Sequence, residues 1–204
     1  MDVYRDGMQV RPVGGNALLI EVDDPLAWFA HLDAERRAGR LAAVDIVPGA
    51  RTILLDGVAD ATAVAATLRD TRPPSRPPSS SVPVELPVHF DGEDLPFVAE
   101  HVGESVDTVV ATVLATELRV AFCGFAPGFA YLAGLPWTLP RLPSPRPRVP
   151  AGAVGLAAEF LGAYPTASPG GWRLIGHTDS PLFDVDRETP ALLYPGRAVR
   201  IVAA

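Results

Sequence analysis

Proline limits the folds open to this chain more than any other residue. The chain has 22 prolines in 204 residues, about twice the average frequency of roughly 5%. Three of them lie before residue 73 and the other 19 lie after residue 72. Because proline lacks a backbone donor and restricts the residue before it, proline-dense segments disfavour helix interiors and central strands. The pattern predicts a regular first part and a second part with many irregular connections.

The densest proline cluster marks the expected domain boundary. Residues 71–81 read TRPPSRPPSSS, which favours a semi-stiff extended linker. We therefore predict an α/β domain over residues 1–72, a Pro/Ser-rich linker over 73–82, and a mainly-β domain over 83–204.

The first domain is predicted to be α+β, with a ferredoxin-like split βαβ order. Residues 16–22 are a strand candidate, and Asp24 followed by Pro25 is a typical helix start. Residues 43–55 predict a hairpin, and Asp60 precedes a second helix. A closing strand after that helix would complete the order. We expect this half to act as scaffold or interface.

The second domain is predicted to be a barrel or sandwich of short strands. A strand over 84–90 and two helices come first, the second helix capped by Ser105. From residue 119 onward, short apolar runs alternate with glycine and proline, which is typical of an all-β domain with long connections.

Composition excludes several classes of function. The 17 basic residues are all arginine, so a lysine Schiff base and a Walker-type phosphate loop are both excluded. A net charge of −7 argues against nonspecific binding of nucleic acid or anionic membrane. No apolar run approaches the length of a membrane span, and residues 1–11 lack the character of a signal peptide. We expect a soluble cytoplasmic protein.

Histidine and cysteine give little support for chemistry. No two of the four histidines share an i, i+2 or i, i+4 spacing, so the sequence predicts no metal site. The single cysteine, Cys123, excludes an internal disulfide and lies in the apolar run 120–125, where packing is favoured over nucleophilic catalysis. No catalytic group is assigned.

Two glycine-containing turns are candidates for a binding site. Residues 124–132 (GFAPGFAYL) place aromatic side chains around a Pro127-Gly128 turn, either as a wall for a small planar ligand or as a hydrophobic turn under a loop. Residues 168–176 (SPGGWRLIG) either offer free amides at Gly170 and Gly171 or form an ordinary turn.

A third candidate is the arginine- and proline-rich segment 140–152 (PRLPSPRPRVPAG). Its prolines would hold Arg141, Arg146 and Arg148 at low entropic cost, which suits a carboxylate or phosphate. The alternative is a solvated connection whose arginines meet surface acids.

These segments, in this order and spacing, resemble the KipI / allophanate hydrolase subunit 1 family, whose members include the B-type subunit of 5-oxoprolinase. The similar stretches are GFAPGFAYLAGLP, PRLPSPRPRVPAGAVGLA, YPTASPGGWRLIG and LFD in the second half, with GGNALLIEV and VDIVPGARTILL in the first. The resemblance implies that the second domain is a cyclophilin-like β-barrel.

The resemblance also implies a function and partners. We expect a subunit of a heteromeric, ATP-dependent 5-oxoprolinase-type amidohydrolase, active with a larger subunit and in some systems a third. ATP would be bound by, or shared with, a partner subunit. Two alternatives stay open: a carboxyltransferase subunit of an allophanate hydrolase or urea carboxylase system, and a KipI-like inhibitor that binds a histidine kinase. Biotin could not be attached to this chain, because it has no lysine.

Under the 5-oxoprolinase interpretation, we assign candidate site residues. Substrate orientation is assigned to Tyr131, Arg141, Arg146, Tyr164 and His177, and pocket backbone to Pro127, Gly128, Gly152, Gly170 and Gly171.

The chain departs from the family pattern at a few positions. Phe160-Leu161 replace a common Gln-Thr pair, His177 replaces a usual arginine, and Val113 replaces a common histidine. Loss of polar groups removes donors for developing charge, so these changes indicate either a lost activity or a changed specificity.

Overall fold

A computed structural model describes residues 8–72, 75 and 82–204. The chain divides into two compact units, Met1–Pro78 and Ser79–Ala204. Apart from residues 75 and 82, the predicted linker over 73–82 lies outside the described residues. Each unit has its own hydrophobic core.

The first unit is a four-stranded antiparallel sheet with two helices. Its elements are β1 (Gln9–Val13), β2 (Ala17–Glu21), α1 (Pro25–Arg37), β3 (Asp45–Pro48), β4 (Thr52–Asp56) and α2 (Ala61–Asp70). The strand order is β1-β2-β4-β3.

Both helices of the first unit begin where the sequence predicts. The carboxylate of Asp24 accepts a hydrogen bond from the amide of Ala27 at 3.1 Å, and Pro25 occupies the first turn of α1. The carboxylate of Asp60 likewise accepts from the amide of Ala63 at 2.9 Å. Each side chain satisfies a donor that has no partner inside the helix.

The ferredoxin-like order predicted for this unit is not confirmed. Among the described residues of this unit, no strand follows α2. The outer position of the sheet is taken by β1, which pairs with β2 from Gln9↔Glu21 to Val13↔Ala17. Sequence reasoning missed β1 because Pro12 interrupts it. An edge strand tolerates a proline, because one of its sides needs no ladder donor.

The second unit is mainly β, as predicted, with two helices near its start. Its elements are β5 (Val84–Val88), α3 (Leu95–Val102), α4 (Val106–Ala115), β6 (Glu117–Cys123), β7 (Ala130–Ala133), β8 (Arg146–Val149), β9 (Ala153–Ala157), β10 (Phe160–Ala163), β11 (Ser168–Gly170), β12 (Arg173–His177) and β13 (Ala198–Ala203). Seven strands form one sheet in the order β12-β9-β10-β7-β6-β13-β5, and β8 pairs with β11 in a separate ribbon.

The large sheet is nearly closed into a barrel. One bridge joins the two edges of the sheet: the His89 amide donates to the His177 carbonyl at 2.8 Å, and the His177 amide donates to the His89 carbonyl at 3.0 Å. This bridge joins the end of β5 to the end of β12. A Cβ atom at Gly176 would collide with the His89 carbonyl oxygen, and one at Gly92 would collide with the Ile175 backbone. The bridge between the first and last strands of the sheet therefore depends on glycine.

The barrel interior holds the main core of this unit. Strand side chains with 0–2% exposure fill it, among them Leu86, Leu118, Leu132, Leu156, Leu161 and Ile175. Val98 and Ala99 of α3 and Val109 and Val113 of α4 join the same core. Among the described residues, no helix has the length and apolar character needed to cross a membrane.

We predict that Gly176→Ala destabilises the second unit. The new methyl group would force β5 and β12 apart at the bridge, and overpacking of this kind costs about 1–3 kcal/mol. Gly124→Ala is the matched control, because its Cβ would meet nothing within 4 Å. Urea unfolding of both variants measures the difference in the free energy of unfolding. Equal stability of the two would contradict the crowding described for this bridge.

Candidate functional site

The three segments selected from the sequence meet at one pocket. Its volume is about 220 Å³. Each segment contributes side chains or backbone, and Tyr164 joins them from the end of β10. The lining residues are Phe125, Phe129, Tyr131, Arg141, Pro145, Tyr164, Pro169, Gly170, Gly171 and Trp172.

Aromatic rings in edge-to-face contact form the pocket wall. Phe129 is 1% exposed and is the centre of the group. Its ring centroid lies 5.1 Å from that of Tyr131, 5.3 Å from Tyr164 and 5.4 Å from Trp172, with interplanar angles of 60°, 82° and 87°. Edge-to-face packing at these distances fixes ring orientation. The wall is therefore preformed.

Phe125 stands at the rim in a strained backbone conformation. It has φ of 71°, and the Ala126 amide donates to the Gly124 carbonyl across it at 2.9 Å. This is the uncommon γ-turn with positive φ. The Phe125 side chain is 63% exposed, yet it also contacts Phe129 edge-to-face at 5.3 Å. Strain of this kind persists where the surrounding structure holds it, often at ligand sites.

Arg141 is an uncommitted cation in the pocket lining. It is exposed and has no hydrogen bond or ion pair with any residue in the described ranges. Burial raises the pKa of the Tyr131 and Tyr164 hydroxyls, and the positive charge of Arg141 partly opposes this rise. Both hydroxyls are therefore neutral donors at neutral pH. The lining thus offers one free guanidinium and two phenols.

Gly170 leaves room for the Tyr164 side chain. A Cβ atom at Gly170 would fall on the Tyr164 hydroxyl and lie 2.9 Å from its Cζ. The backbone amide of Trp172 also hydrogen-bonds this hydroxyl, which lowers the Tyr164 pKa against the larger effect of burial. The close approach of backbone to ring explains why glycine stands at this position.

The guanidinium of Arg146 has a protein partner at each of its three nitrogens, and Arg146 does not line the pocket. Its Nε atom lies 2.8 Å from a Glu93 carboxylate oxygen, and its Nη2 lies 2.9 Å from Asp94 Oδ2. Its Nη1 donates to the Trp172 carbonyl at 3.2 Å. The segment was expected to present this arginine to an anionic ligand or to surface acids. Arg146 meets one exposed acid, Glu93, and one buried acid, Asp94, and it also binds the backbone of the pocket wall.

Asp94 is the acceptor around which this arrangement is built, and sequence reasoning missed it. It is 8% exposed, and it makes no capping bond to α3 although it stands at the cap position. Its Oδ2 accepts from the Leu174 amide at 2.6 Å as well as from Arg146. Arg173 approaches its other oxygen at 3.9 Å and covers the Phe97 ring. These partners are far apart in sequence, so no local pattern indicates them.

The other predicted residues lie outside the pocket lining. Gly128, with φ of 84°, packs closely against Phe183, and Pro127 precedes it in the same turn. The Gly152 amide donates to the Tyr164 carbonyl at 2.7 Å. His177 stands at the barrel bridge. Of the predicted residues, the lining contains Tyr131, Arg141, Tyr164, Gly170 and Gly171.

Three of the four positions that depart from the family pattern, all except His177, are apolar packing sites. Val113 and Leu161 are fully buried in the main core. Phe160 contacts the ring of Tyr131 edge-to-face at 5.7 Å. Phe160 therefore supports the pocket wall from behind, while the other two fill the core.

Cys123 behaves as a packing residue. Its Sγ lies 3.6 Å from the Leu193 carbonyl oxygen, and burial raises the pKa of its thiol to about 11. A thiol with such a pKa is a poor nucleophile at neutral pH.

Sequence and fold comparisons agree on the kind of protein that this chain resembles. Residues 8–193 match the family model described as carboxyltransferase domain, subdomain C and D. The chain is 39% identical over 203 residues, 93% of either chain, to a protein from Escherichia coli O157:H7 that is named as the B-type subunit of 5-oxoprolinase.

Solved structures share the fold. The crystal structure of TTHA0988 matches with a TM-score of 0.76 and 35% identity, covering 96% of this chain and 40% of that one. This chain therefore spans less than half of that protein. The urea carboxylase of Kluyveromyces lactis matches with a TM-score of 0.71 and 17% identity, over 97% of this chain and 22% of that one. At that identity, the likeness shows the fold alone.

We predict that Arg146→Ala lowers the free energy of unfolding by about 1–3 kcal/mol, because it removes the closer of the two arginines that neutralise the buried Asp94 carboxylate. Arg148→Ala is the control, since Arg148 is exposed on the same strand and its loss should change stability by less than about 0.5 kcal/mol. Chemical denaturation of both variants measures the effect. Equal losses would show that Arg146 is an ordinary surface arginine.

We predict that the Cys123 thiol is unreactive in the folded protein. At pH 8 its raised pKa leaves at least about 100-fold less thiolate than a free cysteine has. The unfolded thiol ionises at lower pH, so the stability that this group contributes is present at neutral pH and is lost as the pH rises above the unfolded pKa. The rate of alkylation by iodoacetamide, measured by mass spectrometry in buffer and in urea, checks this directly. Equal rates in the two solvents would contradict it.

Proposed function

Because the chain belongs to the carboxyltransferase-domain family, subdomain C and D, we propose that it is the B-type subunit of a heteromeric, ATP-dependent 5-oxoprolinase. A relative with this name covers 93% of the chain at 39% identity. The structural observation that carries the proposal is the pocket with a preformed aromatic wall and one unpaired arginine.

The size and chemistry of the pocket suit a small cyclic amide that carries a carboxylate. Its volume of about 220 Å³ is below the roughly 300–1,000 Å³ of sites for drug-sized ligands. A planar lactam ring can pack against the aromatic wall, and its carboxylate can pair with the Arg141 guanidinium in a bidentate manner. The Tyr131 and Tyr164 hydroxyls, neutral at pH 7, can donate to substrate oxygens.

The role proposed for this chain is to bind and orient the substrate. A lactam carbonyl is a weak electrophile, and transfer of a phosphoryl group from ATP to its oxygen converts that oxygen into a leaving group. Water then adds to the carbon, and the C–N bond breaks as nitrogen takes a proton, which leaves an acyl phosphate. A second water hydrolyses this acyl phosphate to glutamate and inorganic phosphate. The free Arg141 is a single cation in the lining, whereas a nucleotide triphosphate needs several donors or a metal. We therefore place ATP on a partner subunit.

A second candidate is a carboxyltransferase subunit of a urea carboxylase or allophanate hydrolase system. The family description and the fold shared with urea carboxylase favour it. In that case carboxybiotin would arrive on another protein, because this chain has no lysine to carry biotin. The same pocket would then receive an amide or a urea instead of a lactam.

The test is reconstitution. This chain is co-expressed with the larger subunit and the third subunit from the same genome, and the purified complex is assayed for glutamate released from 5-oxoproline with and without ATP. Release that requires ATP and this chain supports the 5-oxoprolinase assignment. A complex that assembles but acts only with carboxybiotin supports the second candidate. A chain that forms no complex but binds a histidine kinase contradicts both.

We predict that Arg141→Ala raises the KM for 5-oxoproline by about 10- to 100-fold in the assembled complex, with a smaller effect on kcat, because it removes a charge-assisted contact to the bound substrate. Arg141→Lys should recover part of the loss, since a lysine keeps the charge but not the planar fork. Arg200→Ala, on β13 and outside the pocket lining, is the control for loss of a positive charge. An unchanged KM in Arg141→Ala would exclude the carboxylate contact.

A further inference from the structure

The two segments that close the barrel carry the same short pattern. His89-Phe90-Asp91 follows β5, and His177-Thr178-Asp179 ends and follows β12. Because the strands are antiparallel at the bridge, each pattern runs opposite to the other. Residues i and i+2 of a strand share a face. The closure therefore brings two histidines and two aspartates together from distant parts of the chain.

The backbone bridge positions the histidine rings side by side. His89 and His177 are directly opposite each other, with both amides donating across the bridge at 2.8 and 3.0 Å. Directly opposed residues of an antiparallel pair point to the same face. Their ring centroids lie 4.8 Å apart with an interplanar angle of 23°. The His89 and His177 side chains are 45% and 42% exposed. Solvent therefore reaches both rings, while the backbone bridge fixes where they start.

Each histidine also faces the aspartate of the opposite segment. Asp91 Oδ1 lies 2.9 Å from His177 Nδ1, and Asp179 Oδ2 lies 4.0 Å from His89 Nε2. The bond between Asp91 and His177 also lowers the pKa of the Asp91 carboxyl. Asp91 and His177 are within hydrogen-bond distance, whereas Asp179 and His89 are too far apart for a hydrogen bond.

The donor atoms are close enough to share one ion. One ligand atom each from His89, His177 and Asp179 lies within 4.8 Å of the other two. Imidazole nitrogen and carboxylate oxygen bind Zn²⁺ at about 2.0–2.2 Å, so binding requires the stacked histidine rings to turn toward each other and the exposed Asp179 carboxylate to move inward. The contact between Asp91 and His177 Nδ1 leaves the Nε2 atom of that ring available. A carboxylate that holds the other ring nitrogen is the usual support of a metal-binding histidine.

We propose that His89, His177 and Asp179 bind a divalent transition-metal ion, of the class represented by Zn²⁺, at the barrel closure, and that Asp91 orients His177 for this role. The ion links the end of β5 to the end of β12 and reinforces their bridge. A fourth position stays open to water. The nitrogen and oxygen donor set favours zinc-class ions over Mg²⁺ and Ca²⁺, which prefer oxygen ligands alone.

The sequence gives little sign of such a site. Metal-ligand spacing rules look for histidines within a few residues of each other, and here the contacting His177 and Asp91 are 86 positions apart. The repeated His-x-Asp pattern is visible in the sequence, but it acquires meaning only once the barrel closes.

Metal binding by the full chain, with any polyhistidine tag removed and metal stripped by a chelator, tests the proposal. Calorimetric titration with Zn²⁺ should show saturable binding of one ion per chain, and Zn²⁺ should raise Tm. Co²⁺ should give the visible absorption of a four- or five-coordinate site. Mg²⁺ should do neither. Absence of saturable Zn²⁺ binding, or an equal response to Mg²⁺, would overturn the proposal.

Variants locate the site. His89→Gln and Asp179→Asn keep the backbone bridge and should weaken Zn²⁺ binding at least tenfold, while Asp91→Asn should weaken it about tenfold through loss of ring orientation. His101→Gln is the matched control, since His101 lies on α3 and stacks on Phe97. Unchanged far-ultraviolet circular dichroism confirms folding of each variant. If His101→Gln weakens binding as much as His89→Gln, or if the latter binds like wild type, the assignment is wrong.

Discussion

The buried carboxylate of Asp94 connects the parts of the second unit that build its pocket. It stands before α3, accepts the Leu174 amide from β12, and holds the Arg146 guanidinium from β8. Arg146 in turn binds the carbonyl of Trp172, a pocket residue. The ion pair is costly to break, because Asp94 is nearly buried and would keep only the more distant Arg173 as a cationic neighbour. The position of the pocket wall is therefore set by a polar group outside the pocket.

The pocket combines a rigid part with a free part. Edge-to-face contacts centred on Phe129 fix the aromatic side chains in place, so little conformational entropy is lost when a flat ligand binds. Arg141, in contrast, has no partner among the described residues and can turn toward an anion. This division separates recognition of shape from recognition of charge.

Local chemistry made part of this structure predictable. The caps at Asp24 and Asp60 depend on residues three positions away, and the pocket segments carry unusual glycine, proline and aromatic patterns. The strand β1 was missed because Pro12 argues against a central strand, although an edge strand tolerates it. The structural role of Arg146 and the meeting of His89 with His177 depend on partners far along the chain, and no periodicity or spacing reports them. The function proposed for the pocket residues remains a prediction.

The parallel pairing of β5 with β13 has a consequence for how the second unit acquires its structure. β13 lies between β5 and β6, so the first strand of this unit gains its neighbour in the sheet only when the last strand is available. Contacts of such long sequence separation slow folding. During synthesis, β5 therefore stays without its β13 partner until every intervening element has been made.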